Sequence, residues 1–592
     1  MNPSVVPSSA YCRWLAVPIL WVALGLPRLG GQPAPSDPVV ELPQFLVTDT
    51  RELPPPESWR YAQIPGFEIL SNASERESLR LIRDFEAFRQ ALNLIWPVPQ
   101  RPQRPTLLIL CGRRNAYDAF APDGPRPPDS ASASRFLRNP EHSAIILDLQ
   151  SKVLDVLGDD VGADPTGATD FSQISVDHNK QLYREYLFHL LGTASPRPPA
   201  WFEEGLAQLV MGMKVEKTRI IFGQIEESNS VSASAGAVAA VNAAAGSDDP
   251  DLTPQPGAPA EDRDFNVALF RRALVPMPVF LSVKHGAPET QNPLGNNRWA
   301  KQAYAFVHMC LYGRGGRHQQ AFGNYLMRLS RGEEATEQLF KECFKLDYKT
   351  MELELRSYIQ FTDYQARGIR ATKGQSFDFV TQVDFREATQ AEVGRIKGEA
   401  LLLANKAEAA RREFVAPYAR GERDPELLAS LGLVERAAGN DERARKLLEA
   451  AFAPTPATRG RAHFELARLR FAAAAANPGA GDKLSPAQAE AILAPLLAAR
   501  TQPPAIAAVY ETMADVWLAS GLKPTREQVA YLFEGARQFP RRNPLAYKAA
   551  TVCAASGYTD EAKALIEYGK GHATNAEQVR QFDALQASLT TP

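Results

Sequence analysis

Cysteine is scarce in this chain: five in 592 residues, the first of them at position 12. The other four, Cys111, Cys310, Cys343 and Cys553, stand singly with no CxxC and no regular spacing. That excludes a disulfide framework and a cysteine-held zinc site, and leaves separate buried thiols. Charge of one sign is also missing. The formal net charge is −2 and no long Lys/Arg block occurs, so bulk electrostatics offer nothing to nucleic acid or an anionic membrane. The longest apolar run, "WLAVPILWVALGL" (14–26), falls short of the roughly 20 residues that span a bilayer, so no transmembrane helix is expected in the mature chain. GxSxG, the P-loop and GxGxxG are absent. "GRGGRH" (313–318) is Gly-rich but lacks the preceding strand that a phosphate loop needs.

With 45% hydrophobic and 23% charged residues the chain is ordinary globular material, and its length calls for two or three domains. Arg13, the apolar run and the small residues of "GGQPAPS" have the layout of a secretory signal peptide over 1–31, so the protein is expected to be exported, to the periplasm or beyond the cell. A Pro-rich extended segment follows over 32–58. "FEIL" (67–70), "PTLLILCG" (105–112) and "HSAIILDL" (142–149) read as strands. "SERE" (74–77) opens a helix on which Leu81, Ile82, Phe85, Phe88 and Leu92 recur at helical spacing. Further helices are expected over 176–192, from about 200 through "WFEEGLAQLVMG", and over 298–312. Residues 224–262, rich in Ala, Ser, Gly and Pro, cannot build a core and are expected as a flexible insertion. Residues 366–389 are expected as a linker.

From 390 to 592 the composition turns to Ala, Leu, Glu and Arg in paired helices. In "PELLASLGLVERAAGNDERARKLLEAAFAPTP" (425–456) the residues Leu428, Leu431, Gly432, Gly439, Ala444, Leu448, Ala451 and Pro456 follow the order of a tetratricopeptide repeat. A second copy runs through 546–569, with Gly557 and Ala562 in equivalent places. Several such units in series predict a solenoid, whose concave face suits a protein or peptide partner.

The chemistry concentrates in two stretches, "REYLFHLL" (184–191) and "WFEEGLA" (201–207). A zinc peptidase of the HExxH kind needs two histidines four apart on a helix, a Glu beside the first to polarise water, and a further ligand from elsewhere. Residues 59–365 resemble the peptidase MA-like, gluzincin-type domain of bacterial exported proteins, often followed by tetratricopeptide repeats. "SWRYAQIPGFEILSN", the "AIILDL" strand, this helix pair and "KQAYAFVHMCLY" carry the likeness. It implies an α+β gluzincin-like domain ahead of an all-α solenoid, with Glu204 as the third-ligand position and Glu185 as the general base.

The departures from that pattern matter more. Arg184 stands at the first His and Phe188 at the second. Arginine has no lone pair to give a metal, and phenylalanine has no donor atom. A cation 4 Å from Zn²⁺ would be repelled by about 8 kcal/mol at an effective dielectric near 20. No metal or cofactor is therefore expected, Glu185 and Glu204 are vestigial, and an Arg184–Glu204 ion pair is predicted in place of zinc. The expected function is that of a pseudoenzyme binding protein at the cell envelope. Two alternatives stand beside it. One is an active metallopeptidase with zinc on a shifted set of Glu185, His189 and Glu204, which must overcome the 100° between successive helix positions. The other is an inert scaffold. His178 and His189 otherwise read as packed or solvated helix residues.

Overall fold

The computed structural model describes residues 56–96, 104–122, 132–157, 171–225 and 264–589, apart from scattered positions within them. The expected signal peptide, nearly all of the Pro-rich segment and the body of the expected 224–262 insertion lie outside the described residues.

The first part is α+β. Its elements are β1 (Arg60–Ile64), β2 (Phe67–Ser71), α1 (Glu75–Ile95), β3 (Thr106–Cys111), α2 (Arg114–Asp118), β4 (Ser134–Arg138), β5 (Ser143–Asp148), β6 (Val153–Leu157) and β7 (Phe171–Ser175). Then come α3 (His178–Gly192), α4 (Ala200–Met211), β8 (Lys214–Val215) and β9 (Arg219–Phe222). The helices α5 (Phe265–Ala268), α6 (Met277–Ser282), α7 (Arg298–Tyr312), α8 (Gln319–Ser330), α9 (Glu337–Phe344) and α10 (Tyr348–Phe361) precede β10 (Arg367–Arg370) and β11 (Arg386–Glu387). Ser74 caps α1, its hydroxyl accepting from the Glu77 N–H, the forward half of the expected capping box.

The main sheet has the order β11-β1-β2-β3-β5-β4, parallel across β2, β3 and β5 and antiparallel elsewhere, with β4 as one edge. Alternation along the strands sends side chains to two faces. Ile69, Leu108, Leu110, Ile145 and Leu147 share a core with Phe85 of α1 and with Leu182 and Leu187 of α3. The intervening Leu70, Leu107, Ile109 and Ile146 are equally buried, on the opposite face. Both faces are covered, which is why β3 and β5 read as unbroken apolar runs.

Residues 366–389 are not the expected linker. β10 pairs with β9, and β11 closes the sheet on β1 with Arg60 opposite Glu387. Such short, polar strands carry no pattern of their own and exist because a partner strand supplies the hydrogen bonds.

The solenoid follows as α11 (Gln390–Leu403), α12 (Ala407–Ala419), α13 (Pro425–Ala437), α14 (Asp441–Ala451), α15 (Gly460–Ala476), α16 (Pro486–Thr501), α17 (Ala507–Ser520), α18 (Arg526–Gln538), α19 (Asn543–Ala555), α20 (Thr559–Gly571) and α21 (Ala576–Ser588). Each odd-numbered helix packs on the next in sequence and on the following odd-numbered one. These first helices start 33–36 residues apart, save one interval of 47 that holds the longer α15. Gly432 lets α13 and α14 cross closely, since a Cβ there would sit 2.8 Å from Leu448. Gly439 and Gly557 reverse the chain between paired helices at φ 80° and 76°.

The solenoid begins on the second face of the sheet, where α11 packs against β4 and β5. The junction is charged as well as apolar. Arg395 of α11 makes a two-pronged pair with Glu68 of β2 (2.6 and 3.1 Å). Arg459 does the same with Glu141 of the β4–β5 turn (2.6 and 3.1 Å) and also reaches Glu399 at 3.0 Å. Glu399, fully buried, accepts from Ser430 at 2.7 Å and lies 3.6 Å from Arg104. Burial alone would raise the Glu399 pKa; the guanidiniums of Arg104, Arg459 and Arg395 more than reverse this and hold it well below the carboxylate range.

The four cysteines beyond the first are free, and all but Cys343 are buried. Among the described residues no helix is long and apolar enough to cross a membrane.

Candidate functional site

α3 and α4 pack against each other, and α4 lies across α7. The close α4–α7 crossing is made possible by Gly205, where a Cβ would overlap the Ala303 carbonyl. Gly205→Val is expected to cost about 1–3 kcal/mol by overpacking, read as a lower urea midpoint at unchanged slope.

This crossing brings the predicted residues together. Arg184 is 3% exposed and Glu204 4%. The Arg184 Nη2 donates to Glu204 Oε2 at 2.6 Å, so the expected ion pair is present. Arg184 also lies over the Phe188 ring, its guanidinium carbon 4.6 Å from the centroid. The two positions that depart from histidine therefore contact each other. The second oxygen of Glu204 accepts from Gln208 Nε2 at 2.9 Å, and the same amide donates to the Gly295 carbonyl at 2.8 Å.

Glu185 points toward the sheet edge, where Ser134 of β4 donates to its Oε1 at 2.7 Å. Arg184 Nη1 stands 3.9 Å from the same oxygen. Burial pushes the Glu185 pKa up, with Glu204 adding to the effect, while Arg184 and the Ser134 hydroxyl oppose it. A raised carboxyl pKa contributes stability at low pH that is lost as pH rises through it. Glu185→Gln is accordingly expected to gain on the parent in unfolding temperature as pH rises above the ordinary carboxylate range.

The shifted ligand set does not assemble. His189 turns onto the sheet, Nδ1 3.0 Å from Ser143 and Nε2 3.5 Å from Thr106, among Phe67, Phe136 and Tyr186. The reason is the helical step anticipated from the sequence: the face that carries His189 packs on β3 and β5, while the Arg184 face meets α4. Among the described residues no group of three His, Cys, Asp or Glu side chains could hold a metal. His178 Nε2 meets the Ser151 carbonyl at 3.1 Å, a packed helix residue as expected.

Burial, helped by Arg89 and Arg138, lowers the His189 pKa to about 4. A histidine depressed in the folded state favours folding above the unfolded value near 6.5, and that contribution disappears as pH falls toward 4. His189→Gln, which can keep the Ser143 contact, is expected to flatten the loss of unfolding free energy over that window by up to about 1.4 kcal/mol per pH unit.

Sequence reasoning missed the supports. Gln208 sits one helical turn beyond Glu204, and its polarity inside "LAQLVM" was a readable signal. Ser134 was not readable, since nothing local ties an edge strand to α3. Nor was Glu203, which takes a two-pronged pair from Arg197 (2.7 and 2.6 Å) and lies 3.0 Å from His285.

No family model matches the chain, and no curated protein matches it in sequence. Solved structures similar to part of it include YrrB, described as a TPR protein with an unusual peptide-binding site, at 12% identity and TM-score 0.26, over 33% of this chain and 94% of that one. A thermophilic TPR protein of Thermus thermophilus is similar at 18% identity and TM-score 0.22, over 33% of this chain and 99% of its own. The pilF protein of Pseudomonas aeruginosa is similar at 14% identity and TM-score 0.23, over 34% and 88%. Repeat spacing, the close crossing at Gly432 and the reversing glycines make residues 390–588 a tetratricopeptide-like helical solenoid.

Proposed function

We propose that this chain is an exported, catalytically silent relative of gluzincin zinc peptidases, in which the solenoid serves protein binding at a bacterial cell envelope. One observation carries the first half: the Arg184 guanidinium, paired with Glu204 and stacked on Phe188, fills the place where the resemblance puts a zinc ion. A fixed, always-charged guanidinium satisfies the lone Glu204 carboxylate without a metal. Glu185 then has no metal-bound water to polarise. The binding half is supported by the solenoid itself, an extended helical surface of the kind that receives peptides and helices.

Elemental analysis of the purified full chain tests the reading, beside the double substitution Arg184→His with Phe188→His. The parent is expected to carry no stoichiometric zinc. The double variant is expected to gain about one zinc per chain, held with Glu204, and to lose it on Glu204→Gln. Stoichiometric zinc in the parent, peptide cleavage abolished by Glu185→Gln, or a double variant that folds without taking up zinc would each overturn it.

A further inference from the structure

Between the β4–β5 turn and the solenoid lies an open cleft of about 930 Å³, distinct from the Arg184–Glu204 site. Its volume falls at the upper end for sites that take small ligands, enough for several residues of a peptide. One wall is the turn from Arg138 to His142. The other is the segment from Arg500 to Ala505 together with Phe539, contributed by the ends of α16 and α18.

The charge along these walls is unbalanced. The single carboxylate among the described residues lining the cleft, Glu141, is already taken by Arg459 and Arg104. Arg500 is paired with Glu534 at 2.6 Å and stacked on Tyr531, leaving its buried Nε without an acceptor. Arg138, at the exposed rim, donates one N–H to the Gly192 carbonyl at 2.8 Å and has no carboxylate within ion-pair distance among the described residues. Partial burial and neighbouring Arg197 lower its pKa, and Glu203 offsets this only in part. His142, 5% exposed, makes no hydrogen bond on either ring nitrogen among the described residues, though its Nε2 stands 3.7 Å from the Glu399 carboxylate behind it. The apolar contribution comes from Phe136, Pro503 and Phe539.

We propose that this cleft docks an extended acidic peptide, a peptide carboxylate on Arg138 and its apolar side chains against Phe136, Pro503 and Phe539. The cation that lacks a carboxylate partner selects the acidic group, and the aromatic and proline walls select a chain with side chains to bury. The proposal rests on the protein-binding half of the proposed function and gives it a place at the junction of the two parts, where neither part alone completes the site.

Fluorescence polarisation on the full chain tests it, with a short fluorescein-labelled peptide alternating phenylalanine and glutamate, its glutamine counterpart and its lysine counterpart. The glutamate peptide is expected to bind best. Arg138→Glu is expected to weaken it roughly tenfold and to improve the lysine peptide, and Arg138→Gln to weaken the first without improving the second. Gain for the lysine peptide cannot come from misfolding. Failure of the glutamate peptide to bind, or binding indifferent to Arg138→Glu, overturns the cleft while leaving the zinc result untouched. So does preference for a short single-stranded oligonucleotide over the peptide.

Discussion

Arg184→Met lowers the unfolding free energy by about 3–5 kcal/mol, and adding Glu204→Gln restores most of the loss. Both side chains are nearly sealed from water, and the pair is joined at 2.6 Å. Removing the cation leaves Glu204 with a single amide from Gln208, and leaves Glu185 without the positive charge that opposes its burial. A buried carboxylate stripped of its counter-ion costs far more than the pair contributes, because desolvation is no longer compensated. Neutralising Glu204 removes that penalty, so the double variant separates an electrostatic role for Arg184 from simple packing. Urea unfolding of parent, singles and double closes the cycle. A double variant no more stable than Arg184→Met would show that Arg184 acts through its contact with Phe188 instead.

Glu399→Ala produces an effect of the same size, about 3–5 kcal/mol, at the junction. Glu399 is the common partner of Arg459 at 3.0 Å and Arg104 at 3.6 Å, and Arg395 stands 3.8 Å away. Without it Arg395 keeps Glu68 and Arg459 and Arg104 keep Glu141, but no carboxylate is left between the three buried guanidiniums. Because α11 and the residue preceding α15 supply Arg395, Glu399 and Arg459 while the sheet and its β4–β5 turn supply Glu68 and Glu141, the damage falls between the two parts. The parent should unfold in one transition by fluorescence and circular dichroism alike. The variant should show two, with the solenoid separating first. The pH dependence has a definite sign. Glu141 is held at about 2 by Arg459 and Arg104 against the opposing effect of burial, so its contribution is full above the ordinary carboxylate range and lost as pH falls toward 2.

Much of this was legible in the residues. The runs in β3 and β5 signalled buried strands, "WFEEGLAQLVM" signalled α4, and the small and large residues of 425–456 signalled paired helices. The Arg184–Glu204 pair followed from the gluzincin resemblance, which puts both residues at ligand positions of one site, joined to the chemistry of a guanidinium beside a buried carboxylate. What could not be read is what depends on distant chain. β11 exists because β1 lies beside it, across more than 300 residues. The junction joins Glu68 and Glu141 to Arg395 and Arg459, with no local periodicity to mark any of them. Unbroken apolar strands announced two covered faces, but not that the repeats provide one of the covers.

The two-sided sheet sets a timetable for the growing polypeptide. β5 is complete at Asp148, yet α11 ends at Leu403. A ribosome adding roughly 5–20 residues per second needs on the order of 10–50 s to cross that gap of about 250 residues. Throughout it Leu70, Leu107, Ile109 and Ile146 lack the cover that α11 gives them in the finished fold. Until the first repeat has emerged, that face of the sheet is where a holdase chaperone would have most to protect.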